Sequence, residues 1–116
     1  MSQGFLAQIR QQQNRALIDL SGEINGLADE AINQAYTEAE SQNPATIILN
    51  FSQVTYINST GIALIVGLMA RSRKARRQLA VFGLSDHYKE IFQITRLVDF
   101  LTIYENESAA ASAAAA

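Results

Sequence analysis

Tyr56-Ile57-Asn58-Ser59-Thr60-Gly61-Ile62 lies between an apolar run and a long segment of helical periodicity. Before it, Thr46-Ile47-Ile48-Leu49-Asn50-Phe51 is β-branched and apolar, as in a strand buried on both faces. After it, apolar residues recur at helical spacing from Ile62 and give way to basic ones up to Arg77. A strand, a hydroxyl-bearing turn and a helix start together make an anion-friendly place, because the first N–H groups of a helix have no partner within it. A phosphoryl group carried on Ser59 would fit there, with Thr60 the second choice of acceptor. The plainer reading of Asn58, Ser59 and Thr60 is helix capping, since all three side-chain types accept a bond from a first turn.

The flanking chain places this turn in an α/β pattern. Strands are expected at Phe5 to Gln12 and Arg15 to Leu20, joined at Gln13-Asn14 as an antiparallel hairpin. Ser21 to Gly26 reads as a turn, and Leu27, Ala28, Ala31, Ile32, Ala35 and Ala39 repeat at helical spacing up to about Gln42. Asn43-Pro44 stops that helix. The strand at Thr46 to Phe51 is followed by a loop through Tyr56, a helix from Thr60, and a strand from Gln78 to Phe82 ended by Gly83. Ser85 caps a third helix, Asp86 to Ile94, and Leu101 to Tyr104 is a last short strand. Strands alternating with helices call for right-handed crossovers and a mostly parallel mixed sheet. Residues 1–107 are therefore expected to form one α/β domain. Residues 108–116 read as an Ala/Ser-rich tail with nothing to bury, set aside as flexible.

Composition excludes several function classes. With 116 residues, 48% of them hydrophobic, the chain can build one real core. It has no cysteine, which removes disulfides and thiolate-metal sites, and a single histidine leaves no metal-ligand cluster. No run of about 18 apolar residues is present, and Met1-Ser2-Gln3-Gly4 lacks a signal-peptide pattern, so the expectation is a cytoplasmic protein without membrane contact. Arg71, Arg73, Lys74, Arg76 and Arg77 are clustered, but the net charge is −2 and no aromatic residues interleave with them. Cations closing a helix complement its dipole, and direct nucleic-acid binding is not expected. Ser59 and His87 suggest a hydrolase only superficially: Gly-x-Ser-x-Gly and phosphate-loop signatures are absent, so the chain reads as a non-enzyme without cofactor.

The order of elements, with Leu20-Ser21-Gly22-Glu23-Ile24-Asn25, Leu49-Asn50-Phe51-Ser52-Gln53-Val54, Asn58-Ser59-Thr60-Gly61-Ile62, the Leu84 to Ile94 helix and Phe100-Leu101-Thr102-Ile103-Tyr104, resembles the STAS domain family of anti-sigma factor antagonists. The resemblance covers roughly Phe5 to Glu105 and implies a small bacterial regulatory binding module. It implies that Ser59 is phosphorylated by a partner that is both serine kinase and anti-sigma factor, and dephosphorylated by a cognate phosphatase. It implies that the unmodified form binds the kinase and frees the sigma factor, the module itself being a monomer or weak dimer. A different use of such modules, as constitutive scaffold subunits of stress-sensing or transport complexes, is the alternative. Where the family often has Asp, this chain has Asn25, Asn50 and Asn58. If those loops lie together, a phosphate on Ser59 would meet less like-charge repulsion.

The helix after Ser59 suggests where a partner would dock. Ile62, Ile65, Val66, Met69 and Ala70 share one side at 100° per residue, leaving Leu64 and Leu68 beside Gly67 and Arg71. Those two leucines would either form a small apolar patch near the phosphorylatable turn or be covered by the same domain. The expected partner-binding set is Asn25, Asn58, Ser59, Thr60, Gly61, Leu64 and Leu68.

Overall fold

The computed structural model describes residues 4–115. Met1-Ser2-Gln3 and Ala116, parts of the N-terminal and tail expectations, lie outside the described residues. The chain forms strands β1 (Leu6–Gln12) and β2 (Arg15–Ile24), a 3-10 turn (Gly26–Ala28), helix α1 (Asp29–Glu40), strand β3 (Thr46–Ile57) and helix α2 (Ser59–Lys74). Then follow β4 (Gln78–Phe82), α3 (Asp86–Ile94), a second 3-10 turn (Leu97–Asp99), β5 (Thr102–Tyr104) and α4 (Glu107–Ala115). Sequence order is also spatial order, β1-β2-β3-β4-β5. β1 and β2 are antiparallel and every other pairing is parallel, as expected from the hairpin and the strand-helix alternation.

Each parallel connection advances one strand in the same direction, so crossovers of one hand put their helices on one face of the sheet. That face holds the larger core: Ile18, Leu20, Ile47, Leu49 and Val81 pack against Ile32, Tyr36, Ile65, Leu68 and Phe92. The opposite face has a smaller cluster of Leu17, Ile48, Ala80 and Phe82, covered by Ala110 of α4. β2 and β3 are thus apolar on both faces where they cross the middle of the sheet, which is why their sequences show runs and not alternation. α1 ends as read, with Asn43 at φ 51° ahead of Pro44.

Three expectations are corrected. The segment Ser21 to Ile24, read as a turn, continues β2, and Ser52 to Tyr56, read as a loop, continues β3 as far as Ile57. Register shifts between Asp19 and Ser21 and between Gly22 and Glu23 accommodate the irregularity, with Gly22 at φ +94° where a side chain would be strained. The last β3–β4 pair is Asn50 with Phe82, whereas β2 and β3 stay paired out to Ile24 with Ile57. A two-stranded ribbon therefore projects beyond the rest of the sheet.

The third correction concerns the tail: residues 108–115, read as a flexible extension, are part of α4. Alanine is the best helix former, and its small side chain lets the helix lie close on the sheet. Arg10 anchors the first turn of α4 by a two-pronged ion pair to Glu107 (3.0 Å on both prongs) and holds Asp19 at 2.7 and 2.9 Å. Asn50 completes the group by donating to Asp19 at 2.8 Å.

Candidate functional site

The projecting ribbon ends in two adjacent turns. At the end of β2, Asn25 accepts a hydrogen bond from the Leu27 backbone N–H at 2.9 Å and so caps the first 3-10 turn. At the end of β3, Asn58 accepts from Gly61 N–H at 2.8 Å and caps α2. Parallel pairing brings these turns together: Asn58 N–H donates to the Ile24 carbonyl at 3.2 Å, and a Cβ built on Gly26 would be 3.6 Å from Cγ2 of Thr60.

The capping reading and the acceptor reading of the motif now separate. Capping belongs to Asn58, so the hydroxyls of Ser59 and Thr60 are not needed for it. Both residues are exposed in the first turn of α2, where the backbone N–H groups and the helix dipole favour an anion. No acidic residue occupies that first turn. The nearest acidic side chain along the facing turn is Glu23, to which the Asn25 amide donates at 3.4 Å. The three Asn replacements do not cluster as a set. Asn25 and Asn58 belong to the tip, but Asn50 lies eight residues before Asn58, roughly 25 Å of extended chain, in the Arg10–Asp19 group. Its amide tunes that ion-pair group and not the surroundings of Ser59.

The expected docking residues divide. Gly61 is buried and serves packing: a Cβ there would be 2.8 Å from the Ile24 carbonyl carbon and 2.9 Å from Cγ2 of Ile57. Leu68 is fully buried in the core, and Leu64 is half-buried against it. Leu68 is therefore withdrawn from the partner-facing set. The buried stripe of α2 is Gly61, Ile65, Leu68, Met69 and Ser72, rotated from the expected one so that Val66 and Ala70 face solvent. Gly67 is open, with nothing within 4 Å of a Cβ built on it, so no neighbouring backbone in the domain explains that glycine.

Residues missed in the sequence provide the apolar surface. Leu27, read as the first member of the α1 core stripe, is 92% exposed because the 3-10 turn changes the helical phase before Asp29. Tyr56 is 52% exposed on the ribbon and Val66 is 42% exposed on α2. Ser59, Ala63, Val66 and Ala70 recur at helical spacing along the solvent side of α2.

The basic cluster is largely committed within the domain. Arg71 pairs with Glu40 and stacks 4.7 Å over the Tyr36 ring, and Arg77 pairs with Glu40 at 3.2 Å and donates to the Pro44 carbonyl at 2.7 Å. Arg73 sits 4.8 Å over the ring of Phe100. These contacts use the guanidinium groups to tie α2 to α1 and to the second 3-10 turn. Tyr36 is buried beneath this group, and burial is the main cause pushing its phenol pKa up, with Glu40 adding to the rise. His87 is exposed and packs edge-on against Tyr88, ring centroids 4.9 Å apart. Among the described residues no cluster of three or more metal-ligating side chains occurs, and no helix is long and apolar enough to cross a membrane.

Known proteins resemble this chain in sequence and in fold. The anti-sigma-B factor antagonist of Listeria monocytogenes is 29% identical over 86 residues, covering 74% of this chain and 75% of the relative. The crystal structure of an anti-sigma factor antagonist from Mycobacterium paratuberculosis superposes with a TM-score of 0.84 at 17% identity, over 97% of this chain and 96% of that one. The Bacillus cell fate determinant SpoIIAA in its phosphorylated form superposes with a TM-score of 0.71 at 24% identity, over 92% and 98% of the two chains. The STAS domain model matches residues 7–110, nearly the whole α/β unit from β1 to the first turn of α4, and the chain belongs to the STAS domain family.

Proposed function

We propose that this chain is an anti-sigma factor antagonist switched by reversible phosphorylation of Ser59. The observation that carries the reading is the division of labour in the α2 turn: Asn58 provides the cap, and Ser59 is left exposed at the helix start. Similarity to anti-sigma-B factor antagonists supports an anti-sigma factor as the class of partner, and in this reading that partner also carries the serine-kinase activity. A cognate phosphatase would reverse the modification at the same exposed position.

The docking surface in this reading is Ser59 and Thr60 with the turn at Asn25, flanked by the exposed apolar side chains of Leu27, Tyr56 and Val66. A phosphate adds between about 1.5 and 2 negative charges at neutral pH. Its own helix start tolerates that charge. Ejection of the kinase therefore comes from repulsion and unpaid desolvation across the interface, without unfolding of α2. Thr60 is the second acceptor, exposed in the same turn.

The test is phosphopeptide mapping after incubation with Mg-ATP and lysate of the native host, comparing wild type with Ser59→Ala. Phosphate on Ser59, absent from the variant, supports the switch; an unmodified Ser59 in a lysate with demonstrated serine-kinase activity favours the constitutive scaffold. In the scaffold case Ser59→Ala and Ser59→Asp both assemble normally and the protein runs as a large complex. Equal partner binding by wild type and Ser59→Asp sinks the switch outright.

A further inference from the structure

We propose that Tyr88 is a positioning residue that latches the Ser59 turn to α3, an inference that rests on Ser59 being the phosphate acceptor. The end of β3 has an unfilled side. Its pairing with β4 stops at Asn50, so along the β4 side the backbone of residues 51–57 has no strand to bond. At Ile57 a side chain takes the place of the missing strand. The Tyr88 hydroxyl accepts the Ile57 backbone N–H at 2.8 Å and donates back to the Ile57 carbonyl at 3.4 Å. One phenol therefore satisfies both polar groups of the residue that immediately precedes the cap.

The latch acts through a short, stiff chain. Ile57 is buried, and its two neighbours along the backbone are Tyr56 and the capping Asn58. Asn58 is held from the other side by Ile24, through its own N–H at 3.2 Å. With Tyr88 on one side and Ile24 on the other, the backbone entering α2 is fixed from both edges. Tyr88 is itself set by local chemistry: its N–H donates to the capping Ser85 Oγ at 3.3 Å, and its ring packs against His87. Neither Phe nor an aliphatic residue at position 88 can supply the hydroxyl. The ribbon tip would keep its fold on the Ile24 side but lose its second tether, and a kinase would meet a less ordered acceptor.

The experiment compares wild type with Tyr88→Phe by amide hydrogen exchange and by the rate of Ser59 phosphorylation in host lysate supplied with Mg-ATP. The expected result is exchange at Ile57 and Gly61 at least tenfold faster, exchange at Val81 in the central sheet unchanged, and phosphorylation at least fivefold slower. Unchanged exchange at Ile57 overturns the latch. Equal acceleration at Val81 also overturns it, since Tyr88 would then be an ordinary stabilising residue. A loosened turn phosphorylated at the wild-type rate overturns the positioning role. If the wild type takes no phosphate on Ser59, the acceptor reading itself falls, and the exchange measurements alone judge the latch.

Discussion

Gly61 in the first turn of α2 lies against the carbonyl of Ile24 at the end of β2, too close for any side chain to fit between them. The helix can start where it does only because position 61 lacks a Cβ. Gly61→Ala is expected to cost about 2 kcal/mol or more and to lower Tm by roughly 8 °C. Gly67→Ala, six residues on in open space, is expected to raise stability by about 0.5–1 kcal/mol through helix propensity. Thermal melts of the two variants check the contrast, and equal effects of the same sign would show that the helix does not sit on Ile24 as described.

Ser59→Asp is expected to leave the fold intact and to stabilise it slightly, by about 0.3–1 kcal/mol at low salt, because the added carboxylate meets the positive end of α2. The gain should shrink as salt is added. Urea titrations at low and high ionic strength read this directly. A destabilised Ser59→Asp variant would point instead to phosphorylation acting by melting the helix.

Asp19 gives the protein an acid limb. Burial pushes its carboxyl pKa up, but hydrogen bonds from Arg10 and Asn50 and the Arg10 charge outweigh burial, so the net position is below the ordinary 3.8. A depressed carboxylate contributes stability that is fully present above 3.8 and is lost as pH falls through its lower folded value. The loss should therefore fall below about pH 4. Asp19→Asn should flatten that limb while lowering neutral-pH stability by no more than about 1 kcal/mol, the group being partly solvated. Chemical denaturation between neutral pH and pH 3 measures both.

Leu68 and Leu27 exchange the roles their sequence positions suggest. Leu68→Ala should cost about 2–5 kcal/mol by opening a cavity in the main core. Leu27→Ala should change stability by less than about 0.5 kcal/mol while weakening capture of the proposed kinase partner. Denaturation midpoints together with pull-down of that partner decide the assignment.

The sheet was legible because its central strands carry unbroken apolar runs, and the helix caps because Asn58 and Ser85 are short polar side chains ahead of periodic segments. The ribbon was not. Ser52 to Tyr56 is mostly exposed and polar, and it is strand only because Ser21 to Ile24 pairs with it, through a positive-φ glycine that reads locally as a turn. Pairing partners far apart in the chain leave no mark in either segment alone. The phase of α2 is ambiguous in its sequence for a related reason. Ile62, Leu64, Ile65, Val66, Leu68 and Met69 surround the helix axis with apolar residues, so periodicity gives no unique buried side. The Tyr88 latch was equally hidden, because a hydroxyl on α3 has meaning only once β3 is known to outrun β4. α4 is hidden in the sequence because an Ala/Ser run carries no bulky apolar face, whereas Ala110 fits the sheet by being small.

The unequal lengths of β3 and β4 give the tip its own frame: five strands form the wall from which it extends, and of these only β2 and β3 run on to it, with Tyr88 of α3 standing in for the missing neighbour. Its inward side chains, Ile24 and Ile57, belong to the main core, whereas Tyr56 and Leu27 face solvent, so substitutions at those two outward positions should leave the domain's folding largely undisturbed.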